Sequence, residues 1–405
     1  MHRWFSIVRV VRADRALAGA LLAASLTAAA QNPKPAAGDL VLGMSTALTG
    51  PAADLGNKML DGVNAALAEV ERTGGIRGRH VRLIALDDGY EPDRAGPNVR
   101  KLVDDEHVLA IVGDVGTPTA VAALPITNAS GTPFYGAFTG AGLLRKSPPE
   151  HGVVNYRASY AEETRAMVDA LIEHAGLSCK EIAFFTQRDA YGDAGFAGGV
   201  GALKSHGMKD EAGVLHVRYE RNTLAVEKAL ADVMLAEPPP RAIIMVGTYK
   251  PCAAFIKLAR QNGLDSLFLN VSFVGSMSLL RELGDQGEGV IVTQIVPHFE
   301  ADLPIVKEYR HALEALDPQK KPEFISLEGY ISTRILSRAL STIEGTPDRE
   351  AVIRALEGLG SFDIGMGEPL HLSPEDHQAC HRVWPTIVHG DRILPFDWSE
   401  LKKRP

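Results

Sequence analysis

Two threonines stand where their hydroxyl groups could bind a small ligand. The segment IVGDVGTP (111–118) passes from an apolar run through small residues to Thr117 and Pro118, and FYGAFTGAG (134–142) repeats this layout around Thr139. Small residues let a ligand approach the backbone, and a threonine before a proline is typical of a helix N-cap. A helix N-terminus beside a hydroxyl group favours an anion such as a carboxylate. The alternative is that Thr117 only caps its helix and that the glycines only permit tight turns.

The chain lacks the short motifs that would indicate catalysis or a cofactor. No G-x-G-x-x-G follows a strand pattern, and the sequence contains no G-x-x-x-x-G-K-[ST], G-x-S-x-G or H-E-x-x-H. We therefore expect no enzyme activity and no cofactor. A group of potential metal ligands near the C-terminus matches no standard zinc module, which favours solvated loop histidines over a zinc or copper site. This group consists of His371, His377, Cys380 and His381.

The composition excludes several classes of protein. Of the 405 residues, 45% are apolar, which is enough for large buried cores, and the formal net charge is −8. An acidic chain without a basic run offers no electrostatic surface for nucleic acid or for an anionic membrane. The three cysteines, Cys179, Cys252 and Cys380, are expected to be mostly buried free thiols, although the sequence leaves one oxidised pair open.

The first 30 residues have the pattern of a secretory signal peptide. MHRWFSIVRVVRADR (1–15) contains four arginines, the apolar run ALAGALLAASLTA (16–28) follows, and Ala28-x-Ala30 resembles a cleavage site. The apolar run is too short to cross a bilayer as a helix. We expect cleavage after about Ala30, export, and a mature chain without a membrane-spanning segment. A buried N-terminal helix is the alternative.

Strand and helix patterns alternate along the rest of the chain. Continuous apolar runs such as LVLGMS (40–45) and VRLIALDD (81–88) predict buried strands, and the segment between them at 57–75 has the apolar spacing of a helix. A second series of the same kind begins at NYRASYAEE and ends before two long amphipathic helices, around 303–316 and 326–344. This alternation predicts an α/β fold with parallel sheets covered on both faces. Ligands of such sheets bind beyond the carboxyl ends of the strands, where both threonines lie.

Several of these segments together resemble a known family. The block LVLGMSTALTGPAADLGNKMLDGVNAALAEVERTGGIRGRHVRLIALDD resembles the start of the leucine/isoleucine/valine-type periplasmic binding proteins, the type I substrate-binding proteins of ABC importers. The similarity continues through IVGDVGTPTA, QRDAYGDAG, VGTYKPCAAFIKLARQNG and GVIVTQIVP to about residue 365. It implies two doubly wound parallel-sheet lobes joined by a three-crossing hinge, with lobe one at 39–156 plus 294–362 and lobe two at 157–293 plus 363–405. Ligand would be held between the lobes, which close on it.

The resemblance assigns ligand contacts to particular residues. In the family, a hydroxyl residue at the start of a lobe-one helix binds the ligand carboxylate, and a backbone carbonyl and a threonine hydroxyl on the next loop also bind. Thr117, Ala137 and Thr139 match these three places. A tyrosine in a D-x-Y-G turn matches Tyr191, and one after a later strand matches Tyr249. The resemblance therefore implies polar contacts from lobe one and two tyrosines that close from lobe two.

Two positions depart from the family pattern. The acidic residue that pairs with the ligand ammonium aligns with Ser272, and the aromatic residue after the TGP turn aligns near Leu55. Asp189 or Glu220 could supply the acid, but neither matches its position. A buried ammonium needs a paired carboxylate. The sequence therefore predicts a carboxylate ligand without an amino group, and poor binding of leucine, isoleucine and valine.

Three further side chains border this predicted site. Phe138 and Phe273 are expected to form apolar walls. Arg157 either pairs with the ligand anion or forms a hinge salt bridge with Glu162 or Glu163. The charge that faces the ligand depends on which of these two roles Arg157 has.

The whole sequence predicts an exported, monomeric solute-binding protein. It would capture a small polar or carboxylate-bearing ligand and deliver it to the transmembrane subunits of an ABC permease of the branched-chain amino acid type. A ligand-sensing module of a signalling system with the same fold is the alternative, and an exported hydrolase is a third hypothesis that the missing catalytic motifs disfavour. No nucleic-acid partner is expected.

Overall fold

The computed structural model describes residues 38–403, and the predicted signal peptide lies outside this range. The first sheet consists of β1 (Leu40–Thr46), β2 (Val81–Asp87), β3 (Ala110–Val112), β4 (Phe134–Tyr135) and β5 (Val153–Val154). The helices between these strands are α1 (Ala53–Arg72), α2 (Pro92–Asp104) and α3 (Thr117–Ser130). All neighbouring strands are parallel, in the order β2-β1-β3-β4-β5, as the apolar strand runs and intervening helices predict.

The second sheet repeats this arrangement. Its helices are α4 (Tyr160–Glu173), α5 (Ala190–Ser205), α6 (Glu227–Met234), α7 (Tyr249–Gln261) and α8 (Ser276–Leu283). Its parallel strands are β6 (Ile182–Gln187), β7 (His216–Tyr219), β8 (Ala242–Val246), β9 (Leu267–Asn270) and β10 (Ile291–Gln294). A capping box starts α4, because the Ser159 side chain accepts from the Glu162 amide and the Glu162 side chain accepts from the Ser159 amide.

After β10 the chain returns to the first sheet through α9 (Pro304–Leu316), α10 (Phe324–Thr342) and α11 (Arg349–Glu357). Helix α10 packs along α1. Gly62 of α1 and Gly329 of α10 allow the backbones of the two helices to come close together. A Cβ atom on Gly62 would lie 1.9 Å from the Ser326 carbonyl oxygen, so a larger residue cannot fit there. The sequence patterns predicted α9 and α10 but not the shorter α11, whose N-cap is Asp348.

The C-terminal part adds strands to the edge of the fold. β11 (Gly360–Phe362) and β12 (Leu370–Leu372) pair with each other, and β13 (Trp384–His389) and β14 (Arg392–Pro395) extend the second sheet as antiparallel strands. The order of the second sheet is β14-β13-β10-β9-β8-β6-β7.

The chain passes between the two sheets after β5, after β10 and again before β13, and hydrogen bonds join these passages. The Asn155 amide donates to the His377 carbonyl at 2.7 Å, and the Tyr156 hydroxyl donates to the Ile295 carbonyl at 3.1 Å. The two-lobe α/β fold is as expected, while the residue boundaries of the lobes stay a prediction.

A continuous apolar core joins the two sheets. One cluster of buried side chains runs from β1 to β14 and includes Leu55 and Phe273, on either side of the gap between the sheets. A Cβ atom on Gly275 would lie 2.6 Å from the Leu55 side chain, so α1 and the start of α8 are in close contact. None of the helices within 38–403 has both the length and the apolar character needed to cross a membrane. All three cysteines are free, and two of them are buried.

Candidate functional site

The hydroxyl groups of Thr117 and Thr139 lie side by side at the carboxyl ends of β3 and β4. Their oxygens are 2.6 Å apart and both residues are fully buried. Their loops run together because Val115 and Phe138 form a parallel bridge, in which the Phe138 amide donates to the Asp114 carbonyl at 2.7 Å. The structure therefore brings the two threonines of the sequence prediction together.

Thr117 does not cap α3, so this expectation is wrong. The N-cap is Gly116, with φ 111° and ψ 154°, and Thr117 is the first residue of the helix. This positive φ favours glycine, and a Cβ atom at Gly116 would lie 2.3 Å from the Tyr90 ring. The Thr117 hydroxyl bonds to Thr139 and not to the helix backbone, which leaves it in place to contact a ligand.

The loop that carries Thr139 is fixed by a single guanidinium group. Arg145 donates from Nη1 to the carbonyls of Thr139 and Ala141, at 3.2 and 3.1 Å, and from Nη2 to the Arg157 carbonyl at 3.0 Å. Burial lowers the pKa of Arg145 to about 10, so it stays charged at neutral pH. The Ala137 carbonyl accepts the Thr139 amide at 2.8 Å and keeps a second lone pair for another donor.

An aromatic cluster lies next to the threonine pair. Phe138 stacks on Phe273 with ring centroids 4.9 Å apart, and Tyr191 packs against Phe273 at 4.6 Å. Tyr160 meets Tyr191 at 5.2 Å, and Tyr90 approaches Phe273 at 6.0 Å. Since Phe138 belongs to the first sheet's loops and Phe273 to the second's, these rings make an apolar contact across the gap, and their role as walls of a ligand site stays a prediction.

The two predicted tyrosines start helices of the second lobe. Tyr191 follows the α5 N-cap Asp189, which accepts its amide at 3.0 Å, and the Tyr191 hydroxyl donates to the Gly247 carbonyl at 3.2 Å. Tyr249 is the first residue of α7, is 3% exposed, and reaches the backbone of Asp54 on α1. Tyr249 therefore contacts the first lobe, while Tyr191 packs against Phe273, whose ring stacks on Phe138 of the first lobe.

Ser272 belongs to a buried ionic network. Its amide and its hydroxyl donate to the Glu163 carboxylate at 2.7 and 3.0 Å, and the Thr293 hydroxyl donates to the same carboxylate at 2.6 Å. Arg157 donates in turn to the Ser272 hydroxyl. A carboxylate therefore does lie beside Ser272, but it comes from α4 and its charge is matched by Arg157.

The acids that the sequence suggested for this position lie elsewhere. Asp189 caps α5 and also accepts from Arg221 at 3.2 Å, while Glu220 is exposed and pairs with Arg188 at 2.6 Å. Sequence reasoning missed Glu163 in this role, although it named Glu163 as a hinge partner of Arg157. Only the three-dimensional structure shows that Ser272 and Thr293 donate to Glu163.

Arg157 is 1% exposed and lies between two acids from different elements. Nη2 is 3.5 Å from Glu163 Oε1, and Nη1 is 3.5 Å from Oε1 of Glu328 on α10. Burial raises the pKa of the Glu328 carboxyl to about 7, against the opposing effect of Arg157. Among the described residues, Nε and Nη1 of Arg157 have no hydrogen-bond partner. The hinge ion pair is present, and part of the guanidinium remains unmatched.

Polar contacts hold the two lobes together at the rim of the site. Glu91, at the start of α2, accepts from Arg221 at 2.8 Å and from Asn222 at 2.6 Å, both of which follow β7. On the other side, Arg281 of α8 donates to Asp54 of α1 at 2.6 Å. These contacts bridge the first and second sheets, so the structure has a closed gap between the lobes.

The histidine-rich segment near the C-terminus belongs to the hinge. His377 is 6% exposed, and its ring nitrogens lie 2.8 Å from the Val153 carbonyl and 3.1 Å from Glu357. The expectation of solvated loop histidines is therefore wrong for His377, because the segment packs against the passage after β5. Within residues 38–403, no group of three or more His, Cys, Asp or Glu side chains could hold a metal ion.

Comparisons with known proteins agree with this fold. The family model for periplasmic binding proteins matches residues 39–391. A solved structure of a possible leucine/isoleucine/valine-binding protein from Rhodopirellula baltica is 51% identical, with a TM-score of 0.88, and covers 91% of this chain and 100% of that one.

Among curated relatives, Leu/Ile/Val-binding protein homolog 7 of Brucella abortus is 24% identical, over 86% of this chain and 87% of its own. The leucine-, isoleucine-, valine-, threonine-, and alanine-binding protein of Pseudomonas aeruginosa is also 24% identical, over 86% of this chain and 89% of its own. These relatives are binding proteins and not enzymes, and the same holds for this chain. The chain belongs to the periplasmic binding protein family, and within it to the leucine/isoleucine/valine-binding type.

Proposed function

We propose that this protein is exported to the periplasm, captures a small polar or carboxylate-bearing ligand between its lobes, and delivers it to an ABC importer of the branched-chain amino acid type. The observation that carries the proposal is the buried pair of hydroxyl groups of Thr117 and Thr139, with oxygens 2.6 Å apart. One hydroxyl group of the pair donates to the other, so one O–H remains to donate to a carboxylate or amide oxygen beside the N-terminus of α3. Family membership supports the role in transport.

The proposed site takes residues from both lobes, since the ligand would be enclosed when they close. Besides the two threonines it consists of the Ala137 carbonyl, Phe138, Tyr191, Tyr249 and Ser272. All of these residues are buried, between 0% and 6% exposed. A ligand held here would be almost completely removed from water, so its charge must be matched by the protein.

We further propose that the ligand lacks the amino group of the amino acids for which the Pseudomonas aeruginosa relative is named. An ammonium at Ser272 would meet the Arg157 guanidinium, which donates to the Ser272 hydroxyl. Glu163 offers little compensation, because Arg157 already lies 3.5 Å from it. Like charges in a buried site repel each other strongly. Leucine, isoleucine and valine should therefore bind with dissociation constants above about 100 μM.

Export is proposed from the sequence pattern of residues 1–30, with cleavage after about Ala30. We also propose that the mature protein is a monomer. Native mass spectrometry of protein purified without refolding would reveal a copurified ligand and its mass. A thermal-shift panel of amino acids, amides and carboxylates would identify ligands independently.

The test of the site is the substitution Thr117→Ala, measured with whichever panel ligand binds. Losing a hydrogen bond to a charged group costs about 1.5–3 kcal/mol, so affinity should fall roughly 10- to 100-fold. The melting temperature should fall as well, although no helix cap is lost, because the substitution removes the buried hydrogen bond to Thr139, worth about 1–3 kcal/mol. Thr127→Ala is the matched control, since its buried hydroxyl donates to the Leu124 carbonyl in the same helix at 3.1 Å. Equal ligand affinity of both variants would contradict the proposed site.

A further inference from the structure

Arg157 is a buried arginine with unmatched donor groups. It lies on the passage between β5 and α4 and is 1% exposed. Nη2 donates to the Ser272 hydroxyl, whereas Nη1, 3.5 Å from Glu328, lacks hydrogen-bond geometry, and Nε has no partner within the described residues. Buried polar groups are almost always hydrogen-bonded, and a buried donor without an acceptor is destabilising. The guanidinium therefore has the capacity to bind an additional acceptor.

The surroundings of the Arg157 guanidinium are aromatic. Its central carbon is 4.9 Å from the centroid of the Phe138 ring and 5.8 Å from that of Tyr160. Phe138 continues into the stack with Phe273, and the Tyr160 hydroxyl lies beside the Thr139 side chain. A charged group beside a wall of flat rings suits a carboxylate attached to a flat or apolar body.

Arg157 and the threonine pair belong to the same site. One guanidinium, that of Arg145, donates both to the Thr139 carbonyl at 3.2 Å and to the Arg157 carbonyl at 3.0 Å. The Tyr160 amide donates to the Gly140 carbonyl at 2.8 Å, which joins the start of α4 to the loop of Thr139. The Arg157 backbone and the loop of Thr139 are therefore neighbours, and the Arg157 guanidinium lies over the ring of Phe138, the residue before Thr139.

We infer that Arg157 pairs with the ligand carboxylate and makes this site select organic acids with a flat or apolar body and no amino group. This inference rests on the proposed function. A carboxylate gains a charge-assisted hydrogen bond in a site of low dielectric, and Arg geometry suits carboxylates. A neutral amide gains much less, and an ammonium is repelled.

The competing explanation is that Arg157 only fastens the hinge through Glu163 and Glu328. A purely structural arginine would affect the stability of the protein but not its preference for charged over neutral ligands. The preference for charge is therefore the measurement that separates the two explanations.

The experiment compares carboxylates with their amides on the wild-type protein, which requires no variant to fold. The probes are benzoate and benzamide, phenylacetate and phenylacetamide, and hexanoate and hexanamide, with leucine added, all measured by calorimetry. We expect at least one acid to bind roughly 10- to 100-fold more tightly than its amide, the range of a charged hydrogen bond. Equal binding within each pair, or no binding by any of the three acids, would overturn the inference.

Variants of Arg157 then test whether this residue causes the preference for carboxylates over amides. Arg157→Gln should reduce the ratio of acid to amide affinity to near one, and Arg157→Lys should retain part of it. Arg349→Gln is the control, because Arg349 donates only to backbone carbonyls of the first lobe, each at 3.1 Å. A folded Arg157→Gln protein that keeps the wild-type ratio would refute the role of Arg157. Tight binding of an amide that still depends on Thr117 would refute this inference while leaving the proposed function intact. Tight binding of leucine would also refute the proposal that the ligand lacks an amino group, but not the proposed capture and delivery of a small ligand.

Discussion

Carboxylate binding should weaken as the pH rises from 6 to 8, because Glu328 competes with the ligand for Arg157. Glu328 is 2% exposed, and its Oε1 is 3.5 Å from Arg157 Nη1. The other charged groups that act on it are Glu163 and the guanidinium of Arg145, and the Tyr156 ring is also near. Burial raises the pKa of Glu328 to about 7. A second negative charge on the ligand should raise this pKa further, so the ligand should bind preferentially to the form with protonated Glu328.

The size of this pH dependence follows from the coupling between ligand binding and the protonation of Glu328. With a pKa of about 7, Glu328 carries its proton in about nine-tenths of the free protein at pH 6 and about one-tenth at pH 8. If Glu328 stays protonated in the ligand-bound protein from pH 6 to pH 8, the ligand affinity falls about tenfold between pH 6 and pH 8, which is about 1.4 kcal/mol. An ordinary carboxylate ligand stays ionised throughout, so its own titration contributes nothing.

The assay is calorimetry of one carboxylate ligand at several pH values, in buffers of different ionisation enthalpy that report proton uptake. Glu328→Gln should bind at pH 8 as tightly as the wild type does at pH 6, and should take up no proton. His381→Gln is the control, because His381 is a second titratable group of the hinge, whose pKa is raised by the hydrogen bond with Glu162. A flat wild-type pH profile, or a slope that survives in Glu328→Gln, would refute the reasoning.

Two further substitutions test the electrostatics of the first lobe and of its rim. Burial raises the pKa of Asp88 to about 6, so its contribution to stability should be complete below about pH 4 and should be lost as the pH rises through about 6, by about 3 kcal/mol in total and about 2 kcal/mol between pH 4.5 and 7. Asp88→Asn should remove this part of the pH dependence, as measured by urea unfolding at pH 4.5 and 7; an unchanged profile would contradict it. Glu91→Gln should weaken ligand binding two- to fivefold at low salt, because the ion pair with Arg221 across the lobes is worth about 0.2–1 kcal/mol. If Glu91→Gln lost the same amount of ligand affinity at high salt, the charge of Glu91 would not be the cause of the loss.

Much of the fold could be predicted from the sequence because its signals are local. The apolar runs that form β1 and β2 and the helical spacing of α1 require only neighbouring residues. Helix α11 was missed because it is short, with nine residues, and only part of one face is buried. The capping of α3 was wrong for a different reason: the Thr-Pro pattern is common at helix starts, but the contact of Gly116 with Tyr90 depends on tertiary packing.

The candidate site likewise has one part that could be predicted from the sequence and one part that could not. Thr117 and Thr139 follow strands that are neighbours in the sheet, so their proximity follows from the order of the strands. Glu163 on α4 is one of the two hinge partners that the sequence suggested for Arg157, whereas Glu328 could not be predicted, because it lies on α10, far from Arg157 in the chain. Nothing in the local sequence distinguishes Glu328 from an exposed helical glutamate, and only its burial gives it a role.

The position of Arg157 has a consequence for how ligand charge could control closure. The residue lies on the first passage between the lobes, next to Tyr156, whose hydroxyl bonds to Ile295 on the second passage. Gln378 on the third passage accepts from Arg145, which also holds the Arg157 carbonyl. A carboxylate bound at Arg157 would therefore act on the segments about which the lobes turn, whereas a neutral ligand held only by Thr117 would act on one lobe. A ligand shifts the equilibrium between the open and closed forms of the protein only by the difference in its affinity for the two forms. An acid and its amide should therefore differ in the fraction of closed protein that they produce, as well as in their affinity.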